Sequence, residues 1–399
     1  MTTDRVTLFS FRESASVILI AVVAGSIPAL QPLLLGGLLA EGRLTTAQIG
    51  QAATLEAIGM AISATLAAAF LAPRHLRAIA AGIATIALCA NLLTTVTSGF
   101  GIVATRGLNG LCAGLMLWLV VGLFARAEVP GRVFAIYVTA QALSAFLLSA
   151  LFTTVVLPRF GATGAYVTLA VVNIPLIIAS TQVPRAYRII EGATGGGMPP
   201  ARGAIGLVGV SLYLAGIMSL WVYVAPLLAS KGHDPALIRL AITAAIGVQI
   251  LAGLAASVLA TRLRAAPTFI GGALISIACI AILLVATGAV SMFVAMAAFA
   301  FAWMFVPPFQ MPYLIEIDPT LKTAMLISGA QLFGLAVGPL LSSTAASVIG
   351  LDAVGIVSMA LFAGSVLCVV ASRRIPTSLN LRIQQSLASP LAHDKHPKI

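Results

Sequence analysis

A single arginine lies inside an otherwise apolar stretch, Ile102-Val-Ala-Thr-Arg106-Gly-Leu-Asn109-Gly110-Leu-Cys112-Ala113-Gly114. A charge at membrane depth costs from about three to more than ten kcal/mol, so a guanidinium there marks a functional candidate. Glu56 is the one carboxylate well inside a hydrophobic run. At a rise of about 1.5 Å per residue, Glu56 lies about 12 Å and Arg106 about 9 Å below the ends of their segments near Gln48 and Phe100. The two side chains are expected at similar depth, and two chemistries fit them. A permanently ionised pair ties two segments together. A carboxylate that alternates between ionised and protonated carries a proton across, with the arginine as its counter-charge. Arg106 also suits a third task, because a guanidinium grips a carboxylate-bearing solute through two parallel hydrogen bonds.

These residues sit in a chain of 399 residues that is 60% hydrophobic and only 8% charged, with a mean hydropathy of +1.09. Soluble domains carry about a quarter charged residues, so the composition describes a polytopic helical membrane protein. Windows of roughly 20 apolar residues predict twelve spans, near 14–40, 48–72, 78–97, 100–124, 132–157, 162–183, 204–229, 236–261, 267–288, 290–314, 322–349 and 353–372. The connections are short except for a Gly/Pro-rich stretch after span six, containing Glu191-Gly-Ala-Thr-Gly-Gly-Gly197-Met-Pro-Pro200. The expected organisation is a six-helix bundle over 1–183, a linker over 184–203, a second bundle over 204–372 and a tail over 373–399.

The net charge of +11 does not point to nucleic acid, because the basic residues occupy short loops, where they set orientation. With the N-terminus in the cytoplasm, only Arg43, Arg159, Lys231 and Arg239 fall on the opposite side. Both termini and the linker are therefore expected in the cytoplasm. Ala57-Ile58-Gly59 and Ala245-Ile246-Gly247, and likewise Ala140-Gln141 and Ala330-Gln331, repeat at a nearly constant offset. That spacing supports duplication of a six-span unit. Cys89, Cys112, Cys279 and Cys368 fall in apolar runs without a CxxC pattern, and His75, His233, His393 and His396 lie in loops or the tail. No metal or other cofactor is expected.

Twelve spans in two parallel halves, with a cytoplasmic linker and termini, resemble the major facilitator superfamily of secondary transporters over essentially the whole chain. Arg106, Gly110 and Gly114 look like that superfamily's fourth-helix Arg-xxx-Gly-xxx-Gly motif, with Asn109 near the usual glutamine. The resemblance implies an all-α membrane protein with twelve transmembrane helices in two pseudo-symmetric six-helix bundles. It also implies that Arg106 takes part in proton coupling or substrate binding. Two features depart from the family pattern. The loop Leu71-Ala-Pro73-Arg74-His75-Leu-Arg77 has a proline near the place of the usual acid. Span five, from Tyr137 to Leu157, lacks the antiporter Gly-Pro, whereas Gly334-Leu-Ala-Val-Gly338-Pro339 supplies a GxxxGP element in span eleven. Gly110/Gly114 and Gly334/Gly338 have the spacing that lets helices approach closely.

If that architecture holds, spans one, four, seven and ten line a central cavity. Its candidate wall is Gln31, Asn109, Gln141, Tyr213, Trp221, Tyr223, Gln249, Trp303 and Gln310. Pro28 and Pro32 are expected to interrupt span one and free backbone carbonyls. An aromatic wall with few charges suits a small amphipathic or aromatic organic solute, organic anions included. The expected activity is alternating-access transport across a bacterial-type inner membrane, driven by protons and carried out by a monomer. Proton-driven efflux of drugs or metabolites is the alternative, and a non-transporting receptor a remote one. The chain carries neither a Walker lysine loop nor a recognisable catalytic set, so enzymatic activity is not expected.

Overall fold

The computed structural model describes residues 9–71, 74–124, 130–187, 199–259, 262–285, 287–319 and 322–374. The described residues are helical, apart from turns and one isolated bridge between Arg74 and Ala186. Residues 188–198 of the expected linker, Pro73 and the tail beyond 374 lie outside them.

Helix α1 (Phe11–Ala40) starts at a capping box, in which Ser10 and Glu13 satisfy each other's backbone amides. It runs unbroken through Pro28 and Pro32, contrary to the expected interruption. Side chains bond other carbonyls of the preceding turns. The Gln141 amide donates to Gly25 O at 2.8 Å, and Ser26 Oγ donates to Val22 O at 2.7 Å. A second capping box, Thr45 with Gln48, starts α2 (Thr46–Phe70). Then come α3 (Leu76–Val96), α4 (Phe100–Phe124) and α5 (Pro130–Leu151).

A π-helical turn, Phe152–Val156, carries α5 into α6 (Leu157–Ser180). The apolar stretch Ile136–Ser180 is 45 residues long. As one helix it would measure about 68 Å, twice the roughly 30 Å of a bilayer's hydrocarbon core. Gly161 resolves the conflict. Its φ of 60° and ψ of −161° belong to a region open essentially to glycine alone, and the chain turns there into a second crossing. Glu41 Oε1 accepts the Ala162 amide at 2.6 Å, capping the new helix.

The second half holds α7 (Ala201–Ser230), α8 (Pro235–Leu259) and α9 (Ala265–Val285). Helices α10 (Ala289–Phe305) and α11 (Pro307–Ile317) form one span bent by 43° at Pro307 and Pro308, where proline removes backbone donors. The short α12 (Lys322–Met325) leads into α13 (Ile327–Val348), and α14 (Asp352–Arg374) closes the order. With the Gly161 break counted as a boundary and the bent pair as one span, the described helices make the twelve crossings read from hydropathy.

Each half uses glycines to press two helices together. A Cβ on Gly110 or Gly114 would strike the carbonyl oxygen of Glu56 or Met60 on α2, and one on Gly334 or Gly338 would strike that of Ser211 or Ala215 on α7. The halves meet mainly along α2 and α13, α5 and α8, and α1 and α7. Hydrogen bonds across that seam gather at the end bearing the α1–α2 turn, hereafter the Arg43 end. There Tyr223 OH donates to Thr46 O, Ser343 Oγ to Ala47 O and Thr54 Oγ1 to Ala336 O, while Ser149 and Thr153 meet the Thr243 hydroxyl. The opposite end, where the linker attaches, is tied within the first half by Arg77 Nε donating to Val183 O and Leu76 N to Arg185 O.

Candidate functional site

The α2–α4 crossing decides where the two deep charges go. Gly59 on α2 and Gly107, Gly110 and Gly114 on α4 leave no room for side chains between the helices. Glu56 and Arg106 project beside this contact, with Arg106 Nη1 at 3.7 Å from Glu56 Oε1. Their side chains are 9% and 1% exposed. The remaining partners come from three more helices of the first half. Gln31 Nε2 on α1 donates to Glu56 Oε2 at 3.3 Å. Arg106 Nη2 donates to Asn91 Oδ1 on α3 at 3.0 Å. The guanidinium carbon lies 5.1 Å from the ring centroid of Tyr166 on α6, within cation–π range.

The cluster is only partly satisfied. Glu56 Oε1 and Arg106 Nε are buried without a hydrogen-bond partner, and the ion pair is longer than a charge-assisted hydrogen bond of about 2.8 Å. Arginine is the better anchored member, held by Asn91 and covered by Tyr166, whereas the carboxylate rests on Gln31 alone. Glu56 also borders the seam. A void of about 10 Å³ beside it is lined by Gln31, Glu56, Met60, Ala113 and, from the other half, Leu335. Thr54, two residues earlier on α2, reaches Ala336 on the same partner helix.

Of the residues singled out from sequence, Gln31, Glu56 and Arg106 converge on this one point. Asn109, one turn from Arg106, bonds Thr105 O and faces a small void shared with Asn91 and Asn173. Gln141 fastens α5 to α1. Trp221 and Trp303 meet edge-on with centroids 5.2 Å apart, and Trp221 Nε1 crosses the seam to Ala29 O. Tyr223 is part of the hydrogen-bonded closure at the Arg43 end. Gln310 accepts from Gln331 at 3.0 Å, and buried Gln249 has an unpartnered Nε2. Tyr213 lies apart from all these, edge-on to Phe269 and Phe362 inside the second half, with its hydroxyl on Ala302 O. Asn91 and Tyr166 were not foreseen. A buried amide in the middle of Cys89-Ala-Asn91-Leu was a usable signal for the first. Nothing in the sequence around Tyr166 set it apart from an ordinary apolar position.

The described helices form two halves of six membrane-crossing helices, with the sole deep ion pair among the described residues in the first half. Solved structures with this arrangement include a mutant of the nucleoside transporter NupG, with a TM-score of 0.71 and 13% identity over 90% of this chain and 98% of that one. The D-xylose–proton symporter gives 0.69 and 14% identity over 92% and 98%. NupG itself gives 0.69 and 13% over 90% and 98%. The chain matches no protein-family model, and no curated protein matches it in sequence. At such low identity the likeness is one of fold.

Proposed function

We propose that this protein is a proton-coupled secondary transporter that moves a small amphipathic or aromatic organic solute by alternating access. The observation that carries this reading is the incompletely satisfied Glu56–Arg106 pair at the seam between the halves. A pair built only to hold α2 on α4 gains little from leaving Glu56 Oε1 without a donor, because an unmade buried hydrogen bond costs about 1–3 kcal/mol. A site that must lose and regain a proton needs that looseness. The fold shared with a nucleoside transporter and a sugar–proton symporter supports the same class.

In this reading Arg106 stays in place on Asn91 and Tyr166 while Glu56 changes charge. Protonation of Glu56 removes its attraction to Arg106. Because Thr46, Ala47 and Thr54 lie on or at the start of the same helix as Glu56, a shift of α2 reaches the hydrogen bonds that close the Arg43 end. The solute is expected between the halves, near Trp221, Trp303 and Gln310, with the organic anion class favoured by the fixed positive charge of Arg106. The basic loops assign the linker end to the cytoplasm of a bacterial-type cell, so the state described is sealed toward the outside. The two bundles are taken as 1–183 and 204–372, joined by the linker 184–203, with the linker and the tail 373–399 in the cytoplasm.

The test is accumulation of labelled nucleosides, pentoses and aromatic carboxylates in proteoliposomes under an imposed pH gradient. Wild type should concentrate at least one class in a gradient-dependent way. Glu56→Gln should still exchange that solute at equal pH but lose gradient-driven accumulation. Undiminished accumulation by Glu56→Gln would overturn the proton-carrier role. Movement of solute only outward against its gradient would instead favour efflux antiport.

A further inference from the structure

A larger cavity lies between the halves at the Arg43 end. It has a volume of about 440 Å³, inside the range of small-molecule sites. One wall comes from the end of α1 and the start of α6, including Leu33, Gly37 and Ala162. The facing wall comes from α7 and α8, including Ala225, Ile238 and Arg239. At its edge Gly36 approaches Ala225 so closely that an added Cβ would lie at 3.0 Å. The cavity is apart from the Glu56–Arg106 cluster and shares no lining residue with the void beside Glu56.

The charges at this end are unevenly used. Glu41 caps Ala162 at 2.6 Å and faces Arg43 at 3.7 Å. Arg43 in turn is held by Thr94 O, Thr97 O and Thr163 Oγ1. Asp234 accepts the Ala236 and Leu237 amides, and Asp352 pairs with Lys231. Arg239 differs. Among the described residues its side chain has no ion pair or hydrogen bond, and its Nε is shut off from water without an acceptor. Arg239 therefore leaves a cation without an ion-pair partner in the wall of a mainly apolar, ligand-sized space, whose other charged lining residue, Glu41, is engaged by the Ala162 amide and Arg43.

We infer that this cavity is a binding site for an amphipathic monoanion, with an apolar body between Leu33, Ala225 and Ile238 and an anionic head on Arg239. A free organic acid and the headgroup of an anionic lipid share this chemistry. Because both halves supply the walls, the occupant binds the closed Arg43 end better than a parted one and so holds the transporter in this state. The site acts as a brake separate from the path of the solute, and its existence requires neither proton coupling nor a particular cargo.

The direct test is binding of radiolabelled 1-naphthoate to the purified full-length protein in phosphatidylcholine nanodiscs, with empty nanodiscs as the blank. Saturable binding is expected. Arg239→Gln should weaken it about tenfold or more, the factor expected for losing a hydrogen bond to a charged group. Arg239→Lys should keep part of it. Ala229→Trp, at an exposed position of the lining, should abolish it by filling the space, while Gly82→Ala, whose added Cβ meets no atom within 4 Å, should leave it unchanged. Displacement by added phosphatidylglycerol in wild type would support the site with lipid as the occupant, and no displacement would support it with a soluble acid. Binding indifferent to Arg239→Gln or to Ala229→Trp would overturn the inference.

Discussion

Arg106 is held by more partners than Glu56, and that asymmetry decides what each substitution does. Removing the arginine leaves a carboxylate sealed in the bundle with only the Gln31 amide. Breaking a buried pair from one side costs about 3–5 kcal/mol, mostly because of the charge left behind. Arg106→Gln is therefore expected to lower thermal stability strongly, and adding Glu56→Gln in that background should restore a large part. Melting curves of both single variants and the double variant give the coupling. If the double variant loses the sum of the two single losses, the side chains are not energetically paired and 3.7 Å overstates their interaction.

At the scale of helices, the site exists because α2 and α4 touch backbone to backbone. Gly110 faces the carbonyl of the residue that carries the carboxylate, so any Cβ there displaces Glu56 itself. Gly110→Val should part α2 from α4, lower the melting temperature and abolish gradient-driven transport. Gly82→Ala is the control, since no atom lies within 4 Å of its added Cβ, and should change neither. Equal tolerance of the two substitutions would mean that the crossing does not hold the pair. Much of this was legible in the sequence. Hydropathy alone gave twelve crossings, and the small-residue spacing at Gly110/Gly114 and Gly334/Gly338 named the close contacts, though not their partners. Depth counting put Glu56 and Arg106 at one level. The partners Asn91 and Tyr166 were not legible, because which face of α3 or α6 turns toward α4 depends on packing among helices far apart in sequence. The break between spans five and six, read between residues 157 and 162, was legible, and Gly161 makes the turn there.

At the scale of the molecule, the proposed transport cycle has the two halves rock, which a seam that is too strong would prevent. The closure at the Arg43 end depends on a few hydrogen bonds, among them Tyr223 OH to Thr46 O at 3.0 Å, Ser343 Oγ to Ala47 O at 2.8 Å and Thr54 Oγ1 to Ala336 O at 3.1 Å. Side-chain hydrogen bonds between membrane helices contribute about 0.6 kcal/mol each on average, so the three together contribute about 2 kcal/mol. A loss of that size changes the ratio of closed to open molecules about thirtyfold, because each 1.4 kcal/mol is a factor of ten. It shifts the population without unfolding either bundle. The triple variant Tyr223→Phe, Ser343→Ala, Thr54→Val should accordingly open the Arg43 end. Spin labels at 159 and 236, exposed positions on opposite halves at that end, would report this by double electron–electron resonance as a new, longer distance. The glycine contacts of α2 on α4 and of α13 on α7 are untouched by these substitutions, so each half should move as a rigid body and label pairs within one half should keep their distances. A distance distribution between halves that stays as in wild type would mean that apolar packing of α2 on α13, rather than these hydrogen bonds, sets the closed state. In that case Gly50, whose added Cβ would meet Tyr223, Pro339 and Ser343 together, becomes the position whose enlargement forces the end apart.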